Sequence, residues 1–188
     1  MNRRRFLLMG TDTPITGEGL IFYAPLMGDT MDVISNMSGD VSGIVTFSGE
    51  GAYFNKGCIR YAMPGININD WNYSWTVEYT IKNTAIGGYN QLSFEFGTYS
   101  SNSFLIMYTP LFLGNAAQYI SLVKSNEANR NVISYLSSSD YPYSVFRTEK
   151  IVWDGSAKKY RFYINGGLCQ ESNIITTPAF VSSNYMYI

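Results

Sequence analysis

The run SWTVEYTIK, Ser74 to Lys82, alternates between apolar and polar residues without a break. Trp75, Val77, Tyr79 and Ile81 fall on one side, Thr76, Glu78, Thr80 and Lys82 on the other. Successive side chains of a strand point to opposite faces, so this segment is expected to cover a core and to meet water on its other side. QLSFEFG repeats the pattern, with Leu92, Phe94 and Phe96 set against Ser93 and Glu95. NTAIGGYN, between the two, carries a Gly-Gly pair and reads as a loop.

Shorter runs of the same kind occur at GLIFYAPL (Gly19–Leu26), GIVTF (Gly43–Phe47), CIRYAM (Cys58–Met63), SFLIMY (Ser103–Tyr108) and QYISLV (Gln118–Val123). In RTEKIVW both faces are partly apolar, which leaves its orientation open. In KYRFYIN, Tyr160, Phe162 and Ile164 alternate with Arg161 and Tyr163. DGSAK between these two runs predicts a short hairpin loop, and Asn165-Gly166-Gly167 supplies the positive φ angles of a second tight turn. EANRNVISYL (Glu127–Leu136) is the one helix candidate, with Ala128, Val132 and Leu136 at helical spacing. SSSDYPYS (Ser137–Ser144) reads as a polar loop. About a dozen short strands with regular turn signals predict an all-β sandwich or barrel. With 16 Tyr, 11 Phe and only 14% charged residues, the composition points the same way.

What the chain lacks narrows its chemistry. It has no histidine, so serine-histidine and cysteine-histidine catalysis are excluded within it. A net charge of -1 gives no field that would gather nucleic acid. No stretch approaches the roughly 18 apolar residues of a membrane span. Cys58 and Cys169 have no zinc-type spacing and read as two separate small apolar residues, with a single bridge left open if they lie on adjacent strands. MNRRRFLL resembles a twin-arginine export signal in its Arg3, Arg4, Phe6, Leu7 order, but its apolar segment is short and no small-residue cleavage site follows. Residues 1–18 are therefore expected as a flexible basic leader and residues 19–188 as a single β-sandwich domain. No compartment is encoded, and a cell-surface or virion setting would suit such a domain.

Taken in order, GLIFYAPLMGD followed by SG, then AYFNKGCIRYAMPG, WNYSWTVEYTIK and KIVWDGSAKKYRFYINGGL resemble the laminin-G-like members of the concanavalin A-like lectin/glucanase superfamily. The likeness covers most of residues 19–188, and the late hairpin Asp154-Gly155-Ser156 to Tyr163-Ile164-Asn165-Gly166 is its most telling part. It implies a two-sheet antiparallel β-sandwich, a jelly roll. Family members usually continue after a strand like NYMYI (Asn184–Ile188) with a glycine turn and a closing strand beside the first one. The sequence here stops at Ile188, so the Gly19–Leu26 strand is expected either to present an unpaired edge or to find another neighbour. An exposed apolar edge is a template for association, and self-association or completion by a partner is the expectation, with truncation as the alternative.

Three chemistries follow for weighing. The superfamily's hydrolases carry an E-x-D-x-E type strand; here Glu95 stands between Ser93 and Gly97, Glu78 between Thr76 and Thr80, and no stretch has acids at i and i+2. Glycoside hydrolysis is thus not expected. Calcium is the one cofactor the resemblance suggests, through Asp29, Asp32 and Asp40, but their spacing matches no EF-hand and aspartates also form ordinary turns, which is the favoured reading. Sugar binding is the most serious candidate. Saccharides present apolar C–H faces to aromatic rings and hydroxyls to amides, and NINDWNYSW, GGYNQ, GTYSSNS and SDYPYS interleave both in loops. Trp71, Tyr73, Tyr89, Tyr99, Tyr141 and Tyr143 are the candidate binding residues. The same mixture also suits sheet rims and protein–protein contact. The expected function is a non-catalytic, lectin-like adhesion domain for glycans or polysaccharide. A structural or assembly module, such as a virion or surface-appendage component, is the competing expectation.

Overall fold

The computed structural model describes residues 3–8, 20–62, 74–81, 90–96, 105–110, 122–123, 130–131, 145–173 and 185–188. Side chains are described for 22–62, 74–81, 145–173 and 185–188. The described residues contain strands and no helix. In chain order the strands are β1 (Arg3–Leu8), β2 (Leu20–Ala24), β3 (Met31–Asp32), β4 (Met37–Ser38), β5 (Asp40–Ser48), β6 (Gly51–Ala62), β7 (Ser74–Ile81) and β8 (Asn90–Phe96). There follow β9 (Leu105–Pro110), β10 (Leu122–Val123), β11 (Arg130–Asn131), β12 (Arg147–Asp154), β13 (Lys159–Ile164), β14 (Gly167–Glu171) and β15 (Tyr185–Tyr187).

Two sheets carry the architecture. One has six strands in the order β14-β13-β12-β7-β1-β2, the other five in the order β5-β6-β15-β8-β9. Their inward side chains form a common core, with Phe22, Trp75, Val77, Ile151, Trp153 and Phe162 from the first sheet and Ile59, Tyr61 and Met186 from the second. Phe22 and Tyr61 meet edge to face across the sandwich, ring centroids 4.8 Å apart. Burying each large side chain of this kind contributes about 2 kcal/mol, which offsets the entropy of ordering so many short strands. The all-β sandwich expected from the alternation is what the chain forms.

The alternation also assigns faces correctly. Trp75, Val77 and Tyr79 are buried while Thr76, Glu78 and Thr80 are half-exposed, and Tyr160, Phe162 and Ile164 are buried between Arg161 and Tyr163. β12 resolves the orientation that the sequence left open: Arg147, Glu149, Ile151 and Trp153 face inward. Asp154 and Lys159 close the expected hairpin, and Asn165 (φ 48°) and Gly166 (φ 84°) make the second turn.

Three expectations are corrected. Arg3–Leu8, read as part of a flexible leader, lies in register between β7 and β2 and pairs parallel with both, Arg3 with Ser74 and Phe6 with Phe22. The six-stranded sheet is therefore not wholly antiparallel. The helix candidate Glu127–Leu136 has Arg130 and Asn131 in a two-residue strand paired with β10; its other residues lie outside those described. Finally, the Gly19–Leu26 edge is not free at Tyr23. Its N–H donates to Asp32 Oδ1 at 2.7 Å, and its carbonyl accepts from Val33 N at 2.8 Å. β1 takes the other side of β2, so that strand has found its neighbour within the chain. β15 lies between β6 and β8, and Ile188 extends its pairing with two 2.9 Å bonds to Ile59.

Candidate functional site

The three aspartates weighed for calcium each work within the protein. Asp32 is fully buried in the β3–β4 hairpin, and its carboxylate accepts from the N–H groups of Tyr23, Ile34 and Ser35 and from the Ser35 hydroxyl. Those four donors occupy the lone pairs that a cation would need. Asp29 accepts from Met31 N at 2.8 Å, and Asp40 pairs with Arg60 at 2.7 Å. Among the described residues no three carboxylates or thiolates group as a metal site requires. Cys58 and Cys169 are both free and lie in different sheets.

Close to Asp32, the Tyr61 ring packs so tightly under Gly39 that a Cβ there would come within 2.7 Å of it. The Tyr61 hydroxyl is buried without a hydrogen-bond partner among the described residues. Burial first, and then the charges of Asp32 and Asp29, hold its proton well above the usual phenol range.

The outward face of β7, β12 and β13 is mostly polar and half-exposed. Lys150 stands between Glu78 and Tyr163 in the strand register, its Nζ 3.6 Å from the Glu78 carboxylate and 5.1 Å from the Tyr163 ring centroid. One row along, the Thr80 and Thr148 hydroxyls are 3.2 Å apart, and Thr148 N donates to Asn165 Oδ1 at 2.9 Å. Further on, Arg161 bridges Asp154 (2.9 Å) and Glu171 (2.7 Å), and Lys159 also reaches Glu171. A ring, an amine, carboxylates and hydroxyls on one face are groups that can contact polyols. The alternation in KYRFYIN already pointed Tyr163 outward, so this face could have been read from the sequence.

At one end of β12 lies a buried polar cluster. Arg147 Nε donates to Glu149 Oε1 at 2.6 Å, and the Tyr79 hydroxyl donates to Glu149 Oε2 at 2.6 Å. Burial, reinforced by the Glu149 charge and hydrogen bond, keeps Tyr79 protonated far above the ordinary range, which suits its role as donor. The carboxylate is thus committed to ordering the core. Asp154, at the other end of β12, is held well below the usual carboxylate range by the Ser156 hydroxyl, the Ala157 N–H and Arg161.

The six loop aromatics proposed from the sequence, Trp71, Tyr73, Tyr89, Tyr99, Tyr141 and Tyr143, all lie outside the described residues. The strand ends that their segments join are described, and they fall in two groups. Ala62 and Phe96 end on the same side of β15, so the chain leaves the five-stranded sheet toward Trp71 and toward Tyr99 from one end. Tyr73 directly precedes Ser74, where β7 begins. Ile81 and Arg147 are paired at the other end of β7, which is where the segment containing Tyr89 departs and where the one containing Tyr141 and Tyr143 arrives. Period-2 reading gave no sign of this division, because it depends on strand order.

No protein-family model matches the chain, and no curated protein matches it. Solved structures do. One is domain 4 of AbnA, a GH43 extracellular arabinanase from Geobacillus stearothermophilus, solved in complex with arabinotriose. It aligns with a TM-score of 0.58 at 15% identity, over 85% of this chain and 76% of that one. At this identity the likeness establishes the shared fold.

Proposed function

We propose that the chain is a non-catalytic carbohydrate-binding domain of the laminin-G-like kind, recognising glycan or polysaccharide through loop aromatics and amides. The observation that carries this reading is the shared fold with a domain solved holding arabinotriose. The proposed contacts are Trp71, Tyr73 and Tyr99 as one group and Tyr89, Tyr141 and Tyr143 as the other, following the strand ends they adjoin. Aromatic rings of this kind stack on sugar C–H faces while neighbouring Asn and Gln side chains pair with hydroxyls. The commitment of Glu149 to Arg147 and Tyr79 supports a binding role over hydrolysis, as does the lack of acids at i and i+2.

The test is a glycan array extended with arabino-oligosaccharides, run with calcium and again with chelator. Binding of one sugar class is expected, lost in Trp71→Ala and retained in Tyr141→Ala if the first group carries the site. Loss under chelator would add a metal. A blank array from folded protein would favour the second reading, a structural or assembly module acting through protein–protein contacts. The exposed aliphatic side chains of β5 favour that reading.

A further inference from the structure

Sheet edges whose side chains are described differ in how they are closed. β2 is stopped at Tyr23 by Asp32 and Val33. β14 has five residues, a register break against β13, and Glu171 tied into two ion pairs. β5 carries one charge, Asp40 at its first residue, which is tied to Arg60; beyond it the strand has none of the charged guards usual on an edge. It runs for nine residues, its Val41 and Ile44 are 47% and 58% exposed, and Val41 to Ser48 contains no charge. A bulge between Ser42 and Ile44 leaves Ile44–Ser48 as its regular part.

We propose that Ile44–Ser48 is a dimerisation edge, pairing antiparallel with the same segment of a second copy about a two-fold axis at Thr46. The hydrogen-bond pattern fits this axis. Gly49 and Glu50 are the two loop residues of the β5–β6 hairpin, so Ser48, Thr46 and Ile44 bond across to β6. The N–H and C=O groups of Val45 and Phe47 then point to the side on which no described strand pairs. An axis at Thr46 sets Val45 opposite Phe47 of the second copy as a bonded pair, and Thr46 opposite its own equivalent as a non-bonded pair. Val45 and Phe47 pack inward on the core, so their pairing continues the apolar layer across the new seam. The occupant follows from charge. A charged peptide meets no counter-charge on residues 41–48, whereas a second copy brings an equally neutral strand and opposes no like charges.

The experiment is analytical ultracentrifugation of the full chain from low micromolar to near-millimolar concentration, with Thr46 exchanged. Thr46 is exposed, so Thr46→Lys and Thr46→Glu leave the fold intact, checked by circular dichroism. The wild type is expected to dimerise, and each variant to associate at least about tenfold more weakly because two like charges meet at the axis. Mixing the two variants should restore a dimer. A monomeric wild type, variants that dimerise as well as it does, or a mixture that fails to reassociate would each overturn the proposal. Glycan binding by Thr46→Lys should be unchanged, so failure here is separable from failure of the sugar-binding reading.

Discussion

β12 carries an ion pair at each end, and each joins an arginine to a carboxylate. At its start Arg147 meets Glu149 on the inward face, with both side chains almost wholly buried. At its end Asp154 meets Arg161 on the outward face, with both side chains roughly a quarter exposed. Coulomb attraction over these similar distances is far stronger in the dry interior, but so is the cost of leaving either charge alone. The inner pair therefore acts as an obligatory unit, which the Tyr79 hydroxyl completes by filling a second carboxylate site. The outer one is an adjustable accessory, whose Asp154 also receives the turn N–H groups of Ser156 and Ala157. Burial, more than geometry, separates the two.

The largest effect is expected at Glu149. Glu149→Ala should destabilise by about 4 kcal/mol, because Arg147 would lose its paired carboxylate while remaining buried; urea unfolding reads this directly. Replacing both, with Arg147→Met and Glu149→Leu, should cost less than the single change, and a larger cost would show that the pair itself supplies stability. Next comes Tyr79→Phe, which removes one charge-assisted bond and should cost about 2 kcal/mol. Asp154→Ala should cost only about 1 kcal/mol in the same assay, since water replaces its partners.

Acid sharpens the contrast further. Asp154 is depressed in the folded chain chiefly by the Ser156 hydroxyl, and Glu171 chiefly by Lys159. The unfolded chain binds more protons below the ordinary carboxylate range, so their contribution is present above about pH 4 and lost as pH falls below it. Asp154→Asn should flatten that part of the stability curve. Smallest of all, Glu171→Gln should produce a shift in the unfolding midpoint that disappears at high salt, where exposed pairs are screened.

Most of the sandwich was legible because period-2 alternation is a direct imprint of one buried face. Trp75 to Ile81 and Tyr160 to Ile164 could be assigned residue by residue. RTEKIVW could not, because Arg147 and Glu149 look like surface residues until it is known that they satisfy each other. Arg3–Leu8 was missed for a related reason: its three arginines suggest solvent, while its pairing partners are distant in sequence. The hairpin turns were legible from Asp154-Gly155 and Asn165-Gly166. Asp32 was seen as a candidate cation ligand or turn former, and its long-range bond to Tyr23 N had no local signature. For the loop aromatics, composition offered the residue types, but which strand ends their segments adjoin follows only from strand order.

The position of β1 also sets a timetable. Its slot lies between β2 and β7, and Arg3 pairs with Ser74, a closure of roughly seventy residues. A chain emerging from its N-terminus displays Arg3–Leu8 before either neighbour and gives it a complete bed only after Ile81 has appeared. Such distant pairing is slow, and until it happens both sides of the gap are bare strands open to other chains. Of these three strands the one made first is thus the last to settle, and the crowded interval before it does is when this fold is most exposed to going astray.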